Sequence, residues 1–90
     1  MTALETLREE TRGLDAEPAI ERISEYIAAH PADDEAWLLR GLRHWGAGHR
    51  RQAIQDYLEA IRLNPDSRAR AALEAANSIL DFYDKNQFNP

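Results

Sequence analysis

The sequence predicts an all-α chain: five helices in a stack of antiparallel hairpins, about two and a half repeats long. Three observations predict it. Ala19, Ile20, Glu25, Ile27 and Pro31 recur 34 positions later as Ala53, Ile54, Glu59, Ile61 and Pro65, and a period of that length in a helix-rich chain is the mark of stacked helical hairpins. Gly and Pro are few, and Gly13 with Pro18, Pro31, Gly46 with Gly48, and Pro65 break the chain into helical patterns of a dozen residues or more. β-branched alternation is sparse, which argues against strands.

The first helix is expected over about Thr2–Arg12, weakly amphipathic through Leu4 and Leu7. The second, about Glu17–His30, places Ala19, Ile20, Ile23, Tyr26 and Ile27 on one face, with Pro18 in the first turn where a missing N–H costs nothing. The third runs from about Asp34 to Trp45, capped by Asp33 or Asp34, with Glu35 complementing the dipole. The fourth, about Arg50–Leu63, carries Ala53, Ile54, Tyr57, Leu58 and Ile61. The fifth, about Ser67–Asp84, is alanine-rich and then apolar through Ile79, Leu80, Phe82 and Tyr83. Residues 85–90 read as a tail. The expected organisation is one domain over 1–84: a degenerate repeat at 1–33, a clear one at 34–67 and a closing helix at 68–84.

Composition excludes several functions. Eleven basic against 16 acidic residues give a net charge of −5, which disfavours nucleic acid, whose binders need a basic face. Cysteine is absent, so no disulfide or zinc-thiolate site is available. Neither a signal peptide nor a run of roughly 20 apolar residues for a membrane is present. A cytoplasmic protein with no membrane partner is the expectation.

The stretch Asp34–Ser67 resembles a tetratricopeptide (TPR) repeat. Trp37, Gly41, Ala53, Tyr57, Ala60 and Pro65 stand at that family's signature places and spacing. Physically, Gly41 and Ala53 let two helices approach, Trp37 and Tyr57 fill the space beside them, and Ala60 leaves room for the next helix. Pro65 ends the second helix and biases Asn64 away from α geometry. Arg40, His44 and Arg50 depart from the family's Leu, Tyr and aromatic preferences. In residues 1–33 the match persists through Ala19, Ile23 and Pro31. It lapses at Ala3, Leu7 and Tyr26. Ala71 and Ala75 continue the register in the closing helix. The end of the chain, Asn77–Pro90, is similar to that of small stand-alone bacterial TPR proteins.

The resemblance implies a concave face built from the first helix of each hairpin, holding an extended peptide. Transferred here, it presents Glu35, Leu38, Leu42 and Trp45, with Leu4 and Arg8 beside them and Ala69, Ala72, Ala76 and Ile79 from the closing helix. Leu38, Leu39 and Leu42 replace the polar residues with which chaperone-binding members grip a carboxylate, so no carboxylate clamp is expected. The expected partner is a protein or peptide. Three alternatives stay open. Leu38, Leu42 and Trp45 could be core under the closing helix or the tail, under Phe82, Tyr83 or Phe88. A homodimer could bury two grooves. A rim of Arg43, His49, Arg50 and Arg51 could dock an acidic partner as a regulatory subunit.

Other clusters read as structural. His30, Asp33, Asp34 and Glu35 lie at a turn where acids serve as caps. His44 and His49, separated by Gly46 and Gly48, do not share a helix face as zinc-binding histidines would. No nucleophile–base set and no phosphate-binding glycine loop appears, so neither an enzyme nor a cofactor site is expected.

Overall fold

The computed structural model describes the backbone of residues 1–88 and the side chains of residues 1–79. Five helices follow in order: α1 Ala3–Thr11, α2 Ala16–Ala29, α3 Asp34–Gly46, α4 Arg50–Leu63 and α5 Ala69–Phe88. No strand occurs among the described residues, so the fold is all-α. Each helix packs chiefly on its neighbours in the chain, α3 against α4 most extensively. No helix is long and apolar enough to cross a membrane, among the described residues.

Local chemistry sets the ends. Thr2 and Glu5 form a capping box at the start of α1: Thr2 Oγ1 accepts from the Glu5 N–H at 3.1 Å, and Glu5 accepts from the Thr2 N–H at 3.3 Å. Pro18 is the third residue of α2, where its missing N–H is one of those with no intrahelical acceptor. Asp33 occupies the N-cap of α3, but its side chain makes no capping bond. The Asp33 carboxylate instead accepts the Tyr26 hydroxyl at 2.7 Å, and Asp34 accepts from the Asn64 amide at 3.3 Å. Capping by Asp33 or Asp34 is thereby corrected, because a tertiary partner has taken each carboxylate.

At the end of α3, His49 N–H reaches the His44 carbonyl and Gly48 N–H reaches that of Trp45. This is a Schellman ending, and its left-handed residue is Gly48 at φ 83°. Asn64, before Pro65, is extended as expected. Ser67 is buried, and its Oγ accepts the Ala69 N–H at the entry to α5. That helix runs to Phe88 rather than stopping at Asp84. The side chains of Phe82, Tyr83 and Phe88, and any seating of residues 85–90 in the groove, lie outside the described residues.

The core has two parts. Leu7, Ile23, Tyr26, Ile27 and Ala36 form one; Leu38, Ala53, Tyr57, Ala60, Ala69 and Ala76 form the other. Trp37 packs against both, and its indole N–H donates to the Pro31 carbonyl at 2.9 Å. At Gly41 the side chains of α4 press directly on the α3 backbone. A Cβ there would sit 2.6 Å from Tyr57 Cε1 and 3.2 Å from Asp56 Cβ.

Candidate functional site: a groove between α3 and α5

The small residues of the second core part draw α4 and α5 onto α3, yet α3 presents more apolar surface than they cover. Leu38 and Leu42, one turn apart, have different fates. Leu38 is 5% exposed and belongs to the core. Leu42 is 49% exposed. It lies in the floor of two adjoining hollows between α3 and α5. One, of about 210 Å³, adds Leu39, Ala72 and two arginines; the other, of about 120 Å³, adds Trp45, Ala76 and Ile79. Ile79 is also exposed, at 41%. Together the hollows make an apolar channel along the α3–α5 seam.

One end of the channel is charged. Glu35, in the first turn of α3, accepts from Arg8 of α1 at 3.0 Å and from Arg68 just before α5. Two guanidinium groups thus share one carboxylate, which leaves local positive charge at the mouth. The sequence pointed to Glu35 and Arg8 but missed Arg68, because only the turn after Pro65 carries that side chain back over α3.

No protein-family model matches the chain, and no curated protein matches it. Among solved structures, it matches the solution NMR structure of Bacteroides fragilis protein BF1650. The TM-score is 0.81 at 36% identity, over 99% of this chain and 91% of that one. The chain belongs to the same family as that protein. A likeness at this identity and coverage extends through all five helices of the described chain.

Within this family member, the remaining expected site residues divide. Ala69 is buried in the core and Leu4 packs half-buried against it, whereas Ala76, almost fully buried, still lines the second hollow. Arg43 is half-buried and its guanidinium is already engaged within the chain. Its guanidinium donates to the Thr11 carbonyl at 2.6 Å and the Leu14 carbonyl at 3.2 Å, so it ties α3 to the end of α1. Arg50 lies over the Trp45 ring, 5.1 Å from its centroid, a cation–π contact. Of the four rim residues, Arg51 is exposed and His49 half-buried.

His44 and His49 share no helix, as expected, yet the turn folds back and brings their Nδ1 atoms within 3.1 Å. Burial lowers the His44 pKa below its usual value, with Arg40 and His49 adding to that and Asp56 opposing it. No group of three His, Cys, Asp or Glu side chains converges on a metal-holding geometry, among the described residues.

Arg40, which departs from the family pattern, is compensated in three dimensions. Its guanidinium grips the buried Asp56 carboxylate of α4 through two bonds and donates to Ser24 Oγ of α2 at 3.1 Å. Sequence reasoning missed Asp56, because its partner lies on another helix and no local spacing connects the two.

Proposed function

We propose that this chain is a TPR-like, non-catalytic interaction module that binds a peptide or helix of a partner protein in the channel between α3 and α5. The observation that carries the reading is Leu42. A large apolar side chain stands half exposed on the floor of a preformed apolar channel, between the core leucine Leu38 and the half-buried Trp45. Apolar surface gathered in a concavity is the usual foundation of a peptide-binding groove. The 34-residue repeat and the neighbour-by-neighbour helix packing support a hairpin-stack architecture, whose concave side serves extended ligands.

The ligand carries one or two apolar anchors for Leu42, Trp45 and Ile79. An acidic flank faces Arg8 and Arg68, where two cations share one carboxylate. The cysteine-free composition fits a cytoplasmic setting.

The test is peptide selection against the wild-type chain, followed by affinity measurement on two variants. Leu42→Glu should weaken a selected peptide by at least about tenfold, about 1.4 kcal/mol. Leu58→Glu, on a different helix face, should leave affinity unchanged. Peptides that bind both variants as tightly as wild type would place recognition elsewhere.

A further inference from the structure

A second apolar hollow opens on another face of α5. Leu58 and Ile61 of α4 and Leu73 of α5 wall a furrow of about 360 Å³, with Arg70 and Glu74 on its α5 side. Leu58 is 52% exposed. This face uses residues 70, 73 and 74 of α5, whereas the peptide channel uses 72, 76 and 79.

The internal repeat says what this face is for. Thirty-four residues earlier, Leu58, Leu73 and Glu74 correspond to Ser24, Leu39 and Arg40. There Leu39 packs on the α1–α2 core and lines the channel, while Arg40 holds Ser24 of α2 and is gripped by Asp56 of the next helix, α4. At the next step of the repeat, among the described residues, no helix covers the α4–α5 edge, and neither Arg70 nor Glu74 takes part in an ion pair. The Glu74 position lacks the opposite charge that Arg40 receives.

We propose that the α4–α5 edge is covered by the same edge of a second copy of this chain, forming a closed two-fold dimer. The charges select that occupant. Arg70 and Glu74 lie one turn apart on one helix, so they are neighbours on its surface. A two-fold axis crossing α5 at the level of residue 72 runs the two helices antiparallel. Arg70 of one copy then faces Glu74 of the other, and the pairing occurs twice. The apolar surface of Leu58, Ile61 and Leu73 on one copy meets the same surface of the other, every contact occurring twice as in an isologous interface. The pattern is self-complementary, so closure stops at two copies. This inference uses a face separate from the peptide channel, and its failure leaves that reading untouched.

The experiment is sedimentation equilibrium of the full chain from micromolar to millimolar concentration, with helicity checked by circular dichroism. Wild type should pass from monomer to dimer and no further. Leu58→Glu should remain monomeric and fully helical, since that side chain lies outside the core. Glu74→Arg sets Arg70 against a like charge twice and should raise the dimer dissociation constant by about tenfold or more. The double variant Arg70→Glu/Glu74→Arg restores opposite signs and should recover dimerisation. A monomer at every concentration overturns the proposal, as does assembly beyond two copies. A dimer indifferent to Leu58→Glu and Glu74→Arg but broken by Leu42→Glu also overturns it and moves the interface to the peptide channel.

Discussion

Arg40 and Asp56 meet through two parallel hydrogen bonds, Nε to Oδ2 at 2.9 Å and Nη2 to Oδ1 at 2.8 Å. The pair fastens α3 to α4, and through Ser24 the same guanidinium reaches α2. The Asp56 side chain is 6% exposed and that of Arg40 20%. Stripping one partner from such a pair typically costs about 3–5 kcal/mol, and the lower figure applies here because Arg40 keeps some access to water. Asp56→Ala should therefore lower the denaturant midpoint sharply. The double replacement Arg40→Leu/Asp56→Leu should recover most of the loss, because an apolar pair leaves no unpaired charge behind. A double variant no better than Asp56→Ala would show that the ion pair is not the source.

Gly41 gives a prediction whose sign decides between two effects. Helix propensity alone makes Gly→Ala stabilising by roughly 1 kcal/mol. Packing predicts the reverse, since an added Cβ lies 2.6 Å from a ring atom of Tyr57, which is 1% exposed. Overpacking of this kind costs about 1–3 kcal/mol. Gly41→Ala should melt below wild type and Gly41→Leu lower still. A raised melting temperature for Gly41→Ala would contradict the close approach of α3 and α4.

Stability should fall on the acid side through His44. Its pKa lies below the usual 6.5, chiefly because it is buried. As pH drops below that value the unfolded chain takes up a proton that the folded chain resists, so the free energy of unfolding declines. The contribution is fully present above pH 6.5 and stops changing once pH passes the folded-state pKa. His44→Gln should flatten the fall in stability as pH drops below the usual histidine value of 6.5, relative to wild type. Identical slopes for the two proteins would rule His44 out.

Tyr26 governs the alkaline side. Its hydrogen bond to the Asp33 carboxylate, with burial, pushes its pKa up to about 12. Between pH 10 and 12 the unfolded chain loses this proton first, so stability declines as pH rises. An ultraviolet titration should contain a phenol ionising near 12 that disappears in Tyr26→Phe. The same variant should lose about 1.5 kcal/mol at neutral pH, the lower range for a hydrogen bond to a charged group. Burial also raises the Tyr57 pKa, so late-ionising absorbance undiminished in Tyr26→Phe, not merely present, would assign the shift elsewhere.

The helices were legible because their determinants are local. Pro65, Gly48 and the apolar spacing of α4 fix its bounds, and α4 falls at the residues expected. The close approach at Gly41 was legible in part: Gly41 and Ala53 marked it with Tyr57 beside them, whereas Tyr57 and Asp56 are what stand against Gly41. Long charged side chains were not. Arg40, Arg43 and Arg68 each find partners on helices whose approach depends on the whole stack, so no sequence interval announces them. Leu38 and Leu42 share a helix face and a residue type. Only the cover supplied by Tyr57, Ala69 and Ala76 puts the first in the core and leaves the second open.

The central claim, an apolar peptide channel along α3 and α5, is tested most directly by amide chemical-shift mapping of a selected peptide on the isotope-labelled full chain. Saturable shifts concentrated at Leu39, Leu42, Trp45, Ala72 and Ile79, with Leu58 and Leu73 unmoved, are the predicted result. Shifts confined to the Leu58–Leu73 face, or to the Arg50–Arg51 turn, would contradict it.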